Sequence, residues 1–116
     1  MLAKPIIHNE EWGQVIDELI DLIYDNETWT PLALNAKLGE EVGELAEHVL
    51  VNEQLINKPL NEQIECEVAD VINCALAVGI VSLRYMGIDK AHVKMRLYEG
   101  MVAKAAKYEK AVSAKL

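Results

Sequence analysis

One stretch of this chain constrains the rest. Ile64, Val68, Val71, Ile72, Ala75, Leu76, Val78, Ile80 and Val81 cover most of the circumference of a single helix. A helix apolar nearly all round is a central, buried one. Yet Glu67 and Asp70 sit in it three residues apart, and Asn73 follows one turn further along the same face. An unpaired carboxylate costs several kcal/mol to bury unless it protonates or finds a partner. No Lys or Arg lies between Lys58 and Arg84. The economical partner is a cation, shared with a second acidic helix.

The segment from Lys37 to His48 supplies that second helix. Leu38, Val42, Leu45 and Val49 recur at helical spacing and form an apolar stripe. Glu40, Glu41 and Glu44 crowd a different face, with Lys37 one turn before them. Like charges at this spacing cost a few tenths of a kcal/mol per pair. A surface helix would intersperse basic residues, so water or a cation must compensate here. Glu47 reads as a solvated neighbour.

The remaining segments are helical too. A helix capped by Asn9 runs to about Asn26, with Trp12, Val15, Ile16, Leu19, Ile20 and Ile23 as its apolar stripe and Trp12 in the core. Thr30-Pro31 starts the second helix, which ends near Val51. A polar loop leads to Pro59. The third helix runs from about Leu60 or Asn61 to Met86, where Gly87 stops it, and Asp89 caps a fourth reaching about Val112. Residues 1–8 read as an irregular arm. There is no strand-like alternation, internal repeat or low-complexity tract. The expectation is one all-α domain over residues 1–116, a four-helix bundle subunit.

Composition narrows the partners. A net charge of −8 argues against nucleic acid or an anionic membrane as partner, since both need basic surface. Val71 to Leu83, a run of 13 residues, is too short to span a bilayer. No signal peptide is evident. Cys66 and Cys74 lie about 12 Å apart along a helix, too far for a disulfide, and read as reduced core residues of a cytoplasmic protein.

Glu41-x-x-Glu44 and Glu67-x-x-Asp70 on antiparallel neighbours face each other across one site. Four carboxylates make an all-oxygen centre suited to Mg²⁺ or Mn²⁺. A di-iron bundle would need Glu-x-x-His, which does not occur, and His48 and His92 read as surface residues or as supports behind the ligands. Neither a Gly-x-Ser-x-Gly nucleophile motif nor a Walker-type loop is present.

Lys37-Leu38-Gly39-Glu40-Glu41-Val42-Gly43-Glu44-Leu45, followed after 22 residues by Glu67-Val68-Ala69-Asp70-Val71, resembles the MazG-like nucleoside triphosphate pyrophosphohydrolases. The resemblance implies an all-α MazG-like subunit that hydrolyses (deoxy)nucleoside triphosphates to monophosphate and pyrophosphate, limiting unwanted nucleotides. It assigns Glu41, Glu44, Glu67 and Asp70 to Mg²⁺, with Mn²⁺ as a substitute. Glu40 becomes a further metal contact or the residue that orients the attacking water. Lys37 would meet phosphate, or pair with Glu41. Asn73 would meet sugar or base, or form a core hydrogen bond. Lys94 and Arg96 resemble a phosphate-contacting basic pair; being two apart, at most one reaches the site. Trp29, in the turn before the acidic helix, is the stacking candidate.

The third helix, with Val93, Met95, Leu97, Met101 and Val102 of the fourth, carries more apolar surface than a small bundle covers. A homo-oligomer is expected. The resemblance points to a dimer at least, commonly a tetramer. The competing function is a non-catalytic acidic helical interaction module.

Overall fold

The computed structural model describes residues 9–115. The expected arm over residues 1–8 lies outside them. The described residues form four helices and no strand: α1 (Asn9–Asn26), α2 (Pro31–Asn52), α3 (Ile64–Tyr85) and α4 (Lys90–Ser113). Local chemistry sets most boundaries. Thr30 Oγ1 accepts the Ala33 N–H at 3.2 Å, with Pro31 at the first helical position. Asp89 accepts the His92 N–H at 3.0 Å, which holds its carboxyl below the usual carboxylate range. Gly87, at φ +81, turns the chain between α3 and α4 in a conformation side chains resist. The start of α3 is a correction: Leu60 to Glu62 stay in the loop, and Gln63 precedes the first helical turn.

α3 is the hub and packs against each of the other three helices, while α1 also meets α4. The core gathers at one end. It joins Ile20 and Ile23 of α1, Leu34 of α2, Ala77, Ile80 and Val81 of α3, and Val93 of α4. Arg84 locks this end. Its guanidinium donates to the backbone oxygens of Tyr24 (2.6 Å) and Glu27 (2.8 Å), satisfying carbonyls that the end of α1 leaves open. Glu27 in turn accepts the N–H groups of Thr28 and Trp29 at 3.0 Å each, shaping the turn that presents Trp29. Changing Arg84 to Met should cost about 2 kcal/mol, because charged donors to part-buried carbonyls contribute at the upper end of hydrogen-bond energies. Thermal denaturation would register the loss as a fall in Tm. An unchanged Tm would deny Arg84 this role.

Away from that end the fold is open. Its radius of gyration is 16.6 Å, where a compact chain of this length has about 13 Å. Residues 99–113 of α4 are exposed throughout. On α3, Ile64, Val68 and Ile72 are exposed, so this helix is central in position but only partly covered. Trp12 is 58% exposed and not a core residue. Cys66 is exposed rather than buried, lying in the uncovered first turn of α3, whereas Cys74 is half-buried; both are free thiols. As a complete 22-residue helix, α3 is long and apolar enough to cross a membrane by length and composition. Counting only Val71 to Leu83 underestimated it. It packs against all three other helices, yet only 22% of its apolar window is buried.

Candidate metal centre

The α2–α3 pair departs from the simplest reading of its pattern. The line of α2 most buried against the fold is Leu34, Glu41 and His48, spaced by seven. Val42 and Val49 of the apolar stripe face outward, while Leu38 and Leu45 are half-buried. Glu41 is thus turned inward and the valines outward, while Glu40, Glu44 and Glu47 stay exposed.

On α3, Glu67 is the buried residue of the first turns, as its apolar surroundings predicted. One ligand oxygen from each of Glu41, Glu44 and Glu67 lies within 4.8 Å of the other two. Glu41 is 7% exposed and Glu67 9%. The Oε2 atoms of both are buried without a hydrogen-bond partner. Unpartnered buried carboxylate oxygens from two helices, converging with a third acid, suit the hard oxygen coordination of a divalent cation. Asp70 is half-buried one turn further along α3 and lies outside this triad.

Electrostatics around the triad follow from crowding. The Glu44 carboxyl is held above its usual range, chiefly by the Glu41 charge and a shared hydrogen bond with Glu41, and further by desolvation and Glu67. Lys37 Nζ sits 3.2 Å from Glu41 and 3.7 Å from Glu40. These contacts, the Glu41 hydrogen bond first, raise its ammonium above the ordinary lysine value. Glu40 is exposed and stands outside the triad. Burial pushes the Cys74 thiol up, and the Glu41 charge adds to this.

The raised Glu44 makes pH a probe with opposite signs. Without cation, a carboxylate whose folded pKa exceeds its unfolded value stabilises the fold below the unfolded pKa. That contribution is lost as pH rises through the folded pKa. Mild acidification should therefore stabilise the cation-free protein. Cation affinity should instead fall, beginning at a higher pH than for an ordinary carboxylate, because the ligand must be deprotonated. Calorimetric titrations of Mg²⁺ across pH, beside melting curves without it, test both signs.

Two cavities flank the centre. One, of about 360 Å³, is lined by Trp29, Lys37, Asn73 and Cys74 over an apolar floor that includes Leu34 and Ala77. Three candidate substrate residues therefore share one space, reaching the triad through Lys37. Asn73 is exposed there, not a buried core amide, because α3 is open on that side. The other cavity, of about 320 Å³, is lined by Glu44, Glu47, His48, Lys58, Asn61, Glu62 and Glu67, among others. Its Lys58 pairs with Glu47 at 2.7 Å, so Glu47 is exposed but not simply solvated. Lys94 lies elsewhere, held at 2.8 Å by both Asp17 and Asp21 of α1, and Arg96 is exposed on α4; neither lines these two cavities.

The sequence left His48 open between a surface residue and a support behind the ligands, and the structure rules out the first. It is not a surface histidine: it is 4% exposed, and its Nδ1 is buried without a hydrogen-bond partner. The available signal was its seven-residue spacing from Glu41, which puts both on one line of α2. No protein-family model, curated protein or solved structure matches the chain.

Proposed function

We propose that this chain is a Mg²⁺-dependent nucleoside triphosphate pyrophosphohydrolase with a MazG-like subunit. In this reading it releases pyrophosphate and a nucleoside monophosphate and helps keep the nucleotide pool clean. The observation that carries the reading is the carboxylate triad with its unpartnered buried oxygens, set beside the cavity lined by Trp29, Lys37 and Asn73.

Glu41, Glu44 and Glu67, joined by Asp70 from the next turn of α3, would hold the cation. Mn²⁺ is the natural substitute. When bound, the cation supplies the charge that lets a polyanionic substrate approach four acids, and it polarises the α-phosphoryl group. The remaining work falls to side chains. Trp29 offers an aromatic face to a base, and Asn73 offers donor and acceptor to sugar or base. Lys37, 3.2 Å from Glu41, would exchange that carboxylate for a phosphate oxygen. Glu40, exposed beside the triad, would accept a hydrogen bond from the attacking water and orient it. Lys94 and Arg96 have no part in this scheme within one subunit. The reading includes a homo-oligomer, at least a dimer, in the cytoplasm, without nucleic-acid or membrane partners.

The direct test is incubation with Mg²⁺ and a panel of ribo- and deoxyribonucleoside triphosphates. Equal amounts of monophosphate and pyrophosphate are expected. Release of inorganic phosphate would refute attack at the α-phosphorus. No turnover with either Mg²⁺ or Mn²⁺ would favour an acidic interaction module instead.

A further inference from the structure

We infer that Glu27 selects the base: its carboxylate accepts from the exocyclic amino group of cytosine, adenine or guanine, so nucleotides of those bases are preferred to those of uracil and hypoxanthine. The inference rests on the pyrophosphohydrolase reading above and deepens it, since that reading leaves the base open.

Three observations carry it. Glu27 lines the cavity shared by Trp29, Lys37 and Asn73, and it is the one carboxylate among the lining residues. Its position is fixed: Oε1 accepts the N–H groups of Thr28 and Trp29 at 3.0 Å each, and its backbone oxygen accepts from Arg84 at 2.8 Å. One turn therefore presents both the aromatic ring and the carboxylate. The second oxygen is spare. Among the described residues Oε2 of Glu27 has no hydrogen-bond or ion-pair partner, and it is not closed off from solvent.

The charges give the cavity a direction. Lys37 lies 3.2 Å from Glu41 of the triad and six residues into α2 from Pro31, about 9 Å along the axis. Glu27 lies before that helix begins. A triphosphate is repelled by Glu27 and drawn to Lys37 and the cation, so the base points toward Trp29 and Glu27.

A carboxylate oxygen can only accept. It pairs with the amine at C4 of cytosine, C6 of adenine or C2 of guanine. Uracil and hypoxanthine carry carbonyls where cytosine and adenine carry amines, and two acceptors repel. A site built to hydrogen-bond its substrate rejects the analogue lacking that group far more strongly than an apolar pocket rejects a change of size. Asn73 both donates and accepts, so it suits either pattern and the discrimination falls to Glu27. Nucleotides deaminated at the base are therefore poor substrates.

The test compares near-isosteric pairs, CTP with UTP and ATP with ITP, by pyrophosphate release with Mg²⁺. Wild-type kcat/KM should favour the amino member by about 10–100-fold, the range of a hydrogen bond to a charged group. In Glu27→Gln, whose amide donates as well as accepts, that preference should fall about tenfold or more. The wild-type comparison does not depend on how the variant folds. Equal turnover within the pairs, preference for UTP or ITP, or a preference that survives intact in Glu27→Gln overturns the role of Glu27. Failure of the underlying reading gives a different result: no pyrophosphate from any nucleotide with either Mg²⁺ or Mn²⁺.

Discussion

Glu67→Gln is expected to abolish pyrophosphate release and the stabilisation by Mg²⁺, while the cation-free protein melts at or above the wild-type temperature. The substitution keeps the shape of the side chain and removes one of three charges converging within 4.8 Å. In the cation-free protein Glu67 is 9% exposed with an unpartnered oxygen, so its charge is a burden on the fold. A neutral amide relieves that repulsion and adds a donor facing Glu41 and Glu44. Toward the cation the balance reverses. Removing even an outer-sphere partner costs 10–100-fold in affinity or activity, and a direct ligand should cost about a hundredfold or more. Wild-type protein at a hundred times the dissociation constant gains about 2.7 kcal/mol from binding. Its melting temperature should therefore climb with Mg²⁺, and that of Glu67→Gln should not. Glu44→Gln should behave alike. A variant that keeps the Mg²⁺-induced rise, or that loses stability without cation, would show that these carboxylates serve the fold rather than a metal.

The opposition between stability and function at Glu67 also explains what could be read from the chain. Where one residue decides a boundary by local chemistry, sequence and structure agree: Thr30 and Asp89 as caps, Pro31 at the first helical position, Gly87 at the turn. The acids within α3 were legible because nothing basic lies near them in sequence. The facing of α2 was not. Its strongest apolar stripe includes Val42 and Val49, and burial of apolar surface would turn that stripe toward α3. Instead Leu34, Glu41 and His48 are turned in. Periodicity reports which residues share a face, not which neighbour that face meets. The same limit left His48 undecided between surface and support until the α2 seam was known. It also placed Trp12 in a core that never forms around it. Lys94 is a related case: its pairing with Asp17 and Asp21 depends on α1 lying beside α4, a juxtaposition without a local signal.

The outward-facing apolar residues lead to the other large expected effect: Ile72→Glu should split the proposed homo-oligomer into single chains. Ile72 is 50% exposed in the subunit, and Val42, Val49, Ile64 and Val68 on α2 and α3 are exposed with it. Single exposed hydrophobic residues are ordinary; several on one helix pair are what the proposed homo-oligomer would cover. In an isolated subunit a glutamate at a half-exposed position changes stability by no more than about 0.5 kcal/mol. Buried between two copies, the same unpaired charge should weaken association by about 3–5 kcal/mol. Light scattering at micromolar concentration separates the cases. Wild-type protein should give a multiple of the 13.0 kDa chain mass, and Ile72→Glu the mass of one chain with its helical content retained. A wild-type mass of 13.0 kDa would remove the oligomer from the proposal. An assembled Ile72→Glu would move the contact to the exposed Met101 and Val102 on α4. Activity adds a second readout. The triad is drawn from α2 and α3 of one chain, so a single-chain variant should still bind Mg²⁺. Loss of turnover on dissociation, with binding retained, would mean that a neighbouring copy completes the substrate site rather than the cation site.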